Sequence, residues 1–115
     1  MGIFRRRTRD ATGGVAIVFD DEGAYRRYRG ETTHQVRWVD LEWVTIRTTD
    51  DGPFAEDVFW VLDGANGSGF VIPSALVPEG LVARLQQLPG FDNEALIKAM
   101  QSIEENVFIA WRKKH

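Results

Sequence analysis

The apolar periodicity of this chain changes once, at Pro73, and that change restricts the fold more than any other feature. Before Pro73, apolar residues come in short runs rich in β-branched and aromatic side chains, which is strand composition. After it, Leu81, Leu85 and Leu88 recur at helical spacing. Strands first and helices afterwards define an α+β domain with a mostly antiparallel sheet. The 115 residues fit one such domain, and a hydrophobic content of 43% is enough to build its core. Residues 1–11 read as a basic lead-in and 12–115 as the domain.

Five to six strands are expected before the helices. Val15-Ala16-Ile17-Val18-Phe19 is a buried one, turning at Asp20-Asp21-Glu22-Gly23, where Gly23 is free to take positive φ. The half-polar run Ala24-Tyr25-Arg26-Arg27-Tyr28-Arg29 pairs back on it near an edge. Between residues 35 and 49 the alternation changes phase. That places one strand at 35–38, another at 43–49, and a bend or bulge between them. Val58-Phe59-Trp60-Val61-Leu62 is apolar in both phases, the pattern of a strand covered on both sides. A glycine-rich turn at 64–69 leads to Phe70-Val71-Ile72, which Pro73 ends. Pro78 suits a first helical turn, and Pro89-Gly90 stops that helix. Asp92 caps a second helix whose buried stripe would be Leu96, Ala99, Met100 and Ile103. Val107-Phe108-Ile109-Ala110-Trp111 fits either a last strand or a continued helix.

The acidic stretch at 50–57 is the first place to look for chemistry. It fails the calcium-loop spacing, because Gly52 and Phe54 stand where oxygen ligands belong. His34 and His115 are the only histidines and there is no cysteine, so no histidine-rich or thiolate metal site can form. Asp40 and Glu42 share a spacing that acid/base pairs use, but they fall at the expected bend. Ser68 sits in Gly67-Ser68-Gly69, which lacks the spacing of a nucleophile elbow. The same glycine-rich turn lacks the lysine ending that grips phosphate, and no other cofactor motif is present. Asp50 and Asp51 therefore read as turn chemistry, or as a face for a basic partner. Of the four tryptophans, Trp60 and Trp111 are expected in the core; the phase break leaves the face of Trp43 open.

Charge is unevenly placed. Residues 10–111 carry seven bases against seventeen acids, which argues against nucleic-acid binding. The other seven bases lie at the ends: Arg5, Arg6, Arg7 and Arg9, then Arg112, Lys113 and Lys114. These ends read as solvated tails, with contact to an anionic membrane or an acidic partner as the alternative. Inside the body, Arg26, Arg27 and Arg29 form the one basic cluster, on an edge strand or against an anion. Neither a secretory signal nor a run of about 18 apolar residues is present, and with no cysteine a cytosolic home is expected.

The order of elements resembles the bacterial pleckstrin-homology-like and GRAM-like small domains. The residues carrying the resemblance are the first hairpin with Gly23 and Gly30, the step Val36-Arg37-Trp38-Val39-Asp40-Leu41, the strands with Phe59-Trp60-Val61-Leu62 and Phe70-Val71-Ile72-Pro73, and the helix of Leu81, Leu85 and Leu88. The similarity spans about residues 12–88. It implies a partly open barrel and a binding module. Phosphoinositide-binding members carry a basic pattern in the first hairpin, of which Arg27-Tyr28-Arg29 supplies only the second half. The acidic turn Asp20-Asp21-Glu22 would repel phosphate. The expected role is a small non-catalytic cytosolic interaction domain that binds a protein. Its candidate contact residues are Arg26, Arg27, Arg29, Trp43, Asp50 and Asp51. The alternatives are a carboxylate-based, metal-dependent enzyme using 50–57, and a membrane-surface protein using Arg5 to Arg9.

Overall fold

The computed structural model describes residues 13–50 and 58–114. Asp51, the rest of the acidic stretch to Asp57, and Arg5 to Arg9 lie outside the described residues. The chain is α+β, with two antiparallel sheets and, among the described residues, no closed barrel. One sheet has the order β1 (Val15–Phe19), β2 (Gly23–Tyr28), β3 (Glu31–Arg37). The other has the order β6 (Gly69–Pro73), β5 (Val58–Gly64), β4 (Leu41–Thr48), β7 (Asn106–Arg112). Helices α1 (Leu81–Gln86) and α2 (Asn93–Gln101) precede β7. Residues 106–112 are thus a strand, which settles the choice that their composition left open.

The first hairpin is built on Asp20. Its side chain accepts hydrogen bonds from the Glu22 and Gly23 N–H groups at 2.9 and 3.1 Å and from the Tyr25 hydroxyl at 3.1 Å. Its carbonyl accepts the Trp38 indole N–H at 2.8 Å, tying the turn to the corner after β3. Gly23 does not supply positive φ, contrary to expectation. It opens β2, and a Cβ there would run into the Val36 carbonyl and lie 2.9 Å from Arg37 Cα. What the position requires is the close approach of two backbones.

The bonds that Asp20 accepts stabilise its charged form, led by the Glu22 and Gly23 N–H groups, and hold its carboxyl below the ordinary 3.8. A carboxyl lowered by folding contributes stability that is complete above about pH 4 and fades as pH falls through the folded value. Asp20→Asn should remove that acid-limb component. Thermal melts of both proteins from neutral pH downward measure it, and parallel curves would show that Asp20 is not the titrating group.

The phase break between 35 and 49 has two physical sources. Trp38–Asp40 form one 3-10 turn, which carries the chain from one sheet to the other. The register then shifts between Leu41 and Trp43, leaving Glu42 as an extra residue. Beyond the shift, Val44, Ile46 and Thr48 face the core, while Trp43, Thr45 and Arg47 face away. β3 begins four residues earlier than expected. Its residues 31–35 are polar and exposed on both faces, so they show no alternation.

The core lies between the inner face of the four-stranded sheet, the helices and one side of the small sheet. Neighbouring strands place Ile72, Trp60, Ile46 and Phe108 in one row, and Phe70, Leu62, Val44 and Trp111 in the next. The Trp111 indole donates to the Pro89 carbonyl at 2.8 Å, and the Asp92 N–H donates to the Ala110 carbonyl at 2.7 Å. These bonds hold the link between the helices on β7. Asp92 caps α2 as expected, accepting from the Ala95 N–H at 3.1 Å. α1 starts at Leu81 after the left-handed Gly80, so Pro78 precedes the helix rather than opening it.

The buried stripe of α2 keeps Ala99 and Leu96 of the expected one, adds Ala95 and loses Met100, while Ile103 falls beyond the end of the helix. Ala95 and Ala99 are buried and Leu96 is partly so, whereas Met100 is 52% exposed and Ile103 is 85% exposed. Ala95 and Ala99 are small side chains at the contact, while Ile97 and Met100 are turned outward.

Candidate functional site

The second face of the four-stranded sheet carries the feature that sequence reasoning missed. Two rows run across it, apolar on β5, β6 and β7 and broken on β4 by Thr45 and the exposed Arg47. One is Val71, Val61, Thr45 and Ile109; the other is Pro73, Phe59, Arg47 and Val107. Val71, Val107 and Ile109 are 46%, 59% and 52% exposed, and Phe59 and Val61 are half-buried. The expectation that β5 is covered on both sides therefore holds for Trp60 and Leu62 and fails for the other phase. Aliphatic groups side by side in water cost free energy in proportion to their area. Clustered exposed apolar groups are the usual mark of a contact surface.

A third row, Gly69, Asp63, Trp43 and Arg112, closes one end of the band. Trp43 is half-buried there, and the Arg112 guanidinium stacks over it at 5.5 Å from the ring centroid. The register shift at Glu42 aims Trp43 at this face, which is why alternation alone did not reveal it. Residues 112–114 are not a detached tail. Arg112 belongs to β7, the Lys113 N–H donates to the Glu42 carbonyl at 2.8 Å, and its ammonium donates to the Val39 carbonyl at 2.9 Å.

Two clefts flank these residues. One, of about 510 Å³, is lined by Glu42, Trp43, Arg112, Lys113 and Lys114. The other, of about 550 Å³, has an apolar floor that includes Trp38, Leu41, Leu88 and Trp111, with Lys113 and Lys114 at its rim. The indole N–H groups of Trp38 and Trp111 are already committed to the Asp20 and Pro89 carbonyls. What those side chains offer a ligand is ring surface. The Arg84 guanidinium also stacks on Trp38, 4.6 Å from the centroid.

The structure separates the remaining candidate residues. Alternation along β2 sends Arg26 and Arg27 to opposite faces. Arg26 donates to the Thr33 hydroxyl at 2.8 Å and lines a cleft of about 340 Å³ with Val15, Phe59, Val71 and Pro73, at the β6 margin of the apolar band. Arg27 lies on the other face, where its charge favours the Asp20 carboxylate. Arg29 has φ of 52° in the turn after β2 and stacks over Tyr28 at 5.3 Å. The three arginines are adjacent in sequence and do not form one patch. Asp50 is exposed beyond the end of β4.

Among the described residues, no group of three His, Asp or Glu side chains could hold a metal ion, and no helix is long and apolar enough to cross a membrane. Comparison with protein families, characterised sequences and solved structures returns no match.

Proposed function

We propose that the chain is a non-catalytic cytosolic interaction domain that binds protein through the outer face of its four-stranded sheet. The observation that carries this reading is the band of Val71, Val107 and Ile109 left in water beside Phe59 and Val61. Contact surfaces combine an apolar centre, aromatic side chains and arginine with a polar rim. Trp43 under Arg112 at one end and Arg26 at the other supply that rim. The resemblance to pleckstrin-homology-like domains points the same way, toward binding rather than catalysis.

Val71→Asp tests the reading, because Val71 is on β6 and its side chain already meets water. Tagged wild-type and variant proteins with matched melting temperatures are used for capture from native extract. Proteins held by the wild type should be lost, by about tenfold or more, with the variant, since a charge at an apolar contact must be desolvated unpaired. Equal capture by the two proteins would remove this face from consideration.

A further inference from the structure

We infer that the basic end of β7 binds an acidic segment of a partner protein, one whose carboxylates flank an apolar side chain. The inference rests on the interaction reading above and names the chemistry of the partner. Arg112, Lys113 and Lys114 are consecutive, and the fold holds them in place. The Lys113 N–H continues the pairing of β7 with β4 at the Glu42 carbonyl, 2.8 Å away, and its ammonium reaches the Val39 carbonyl at 2.9 Å. The Arg112 guanidinium lies over the Trp43 ring. Cations fixed side by side repel one another until an anion arrives. Among the described residues, none of the three is paired with a carboxylate. Residues 10–111 carry seventeen acids against seven bases, so this strand end is a positive site beside an acidic body. Such a site draws an anion from a distance and orients it on arrival.

Lys113 and Lys114 stand between the two clefts, since both residues line each of them. The first cleft adds Arg112 and the half-buried Trp43, and its one acid is Glu42. The second has no acid in its lining. Val39, which is 63% exposed, the exposed Pro89 and the half-buried Leu88 offer apolar contact there. The Val39 side chain meets water while its carbonyl is held by Lys113, so an apolar group bound against Val39 lies beside an ammonium. Both clefts are open to solvent rather than enclosed. Sites for small molecules surround most of the ligand, which these do not. Open clefts on the two sides of a charged ridge suit a chain that crosses the ridge. Its carboxylates meet the lysines, and its apolar side chain enters the second cleft.

The probe is a labelled octapeptide of glutamates with one phenylalanine and one leucine inside it, followed by fluorescence anisotropy. It is compared with a counterpart carrying lysine for glutamate, and with octaglutamate. Wild-type protein should bind the first peptide and leave the lysine counterpart unbound. Affinity should fall about tenfold or more as salt rises from about 20 mM to about 300 mM. Octaglutamate should bind about fivefold or more weakly, because it has no apolar group to bury. Lys114→Glu should weaken the first peptide about tenfold. Val39→Ser should abolish the preference over octaglutamate and leave octaglutamate binding unchanged. Both substituted side chains are exposed, and matched melting temperatures show that the variants fold. No binding up to about 1 mM, equal binding of the lysine counterpart, or indifference to Lys114→Glu overturns the inference. So does Lys114-dependent binding to phosphatidylserine vesicles without binding to the peptide, which would assign the cations to a membrane surface. Capture that depends on Val71 would survive each of these results, so the two readings fail separately.

Discussion

Replacing Trp60 by alanine is expected to destabilise the fold by about 3–5 kcal/mol, the usual loss for a large aromatic removed from a core. Trp60 is 3% exposed at the centre of the inner sheet face, between Ile46 on β4 and Ile72 on β6. Both neighbours are fully buried and held by strand pairing, so the sheet cannot collapse into the space left behind. Small domains have total stabilities of roughly 5–15 kcal/mol, so about a fifth or more of the total is at stake. Urea unfolding measures the loss. Trp43→Ala is the matched control: the same side chain, half-buried on the outer face, should cost less than half as much. A Trp60→Ala loss below about 1 kcal/mol would contradict the packing described.

The fold was legible where burial imposed a period. β5 stood out because Val58 to Leu62 is apolar in both phases, and α2 because Asp92 caps it. The start of β3 was hidden because Glu31 to Gln35 is exposed on both faces, so nothing distinguishes one phase from the other. The helix stripe was assigned to Leu96, Ala99, Met100 and Ile103. Ala99 is buried and Leu96 partly so, but Ala95 joins them and Met100 and Ile103 are exposed.

The candidate site was less legible, since nearness in sequence is not nearness in space. Arg26, Arg27 and Arg29 form a cluster in the sequence, yet strand alternation and a left-handed turn separate them. Trp43 does lie on the outer face, by way of a register shift that no propensity scale encodes. One signal was available. Both Val58 to Leu62 and Val107 to Trp111 are apolar in both phases, and such strands in one sheet leave it apolar on its second face. Reading Arg112 as part of a tail concealed its stacking on Trp43.

The second large effect is expected at Gly69, which opens β6. Its φ of 116° belongs to a region that side-chain-bearing residues rarely adopt. A Cβ there would also strike the Leu62 carbonyl and lie 3.1 Å from Asp63 Cα, both on the neighbouring strand. Neither obstacle is a flexible side chain, so relief requires the β5–β6 register to give way. Backbone strain and overpacking each cost roughly 1–3 kcal/mol, which puts Gly69→Ala at about 3 kcal/mol. Gly67 separates the two causes. It has φ of 76°, and nothing lies within 4 Å of where a methyl group would sit, so Gly67→Ala bears the conformational cost alone. That cost is about 1 kcal/mol. The difference between the two variants in urea unfolding is therefore the steric part together with the extra backbone strain of φ 116° over 76°. Because Val71 lies two residues beyond Gly69 and pairs with Val61, a shift that relieved the clash would also displace the apolar band. Gly69→Ala should then lose partner capture in proportion to its loss of register, and Gly67→Ala should keep it. Equal stability of the two variants would mean that β6 does not approach β5 as closely at Gly69 as the geometry requires.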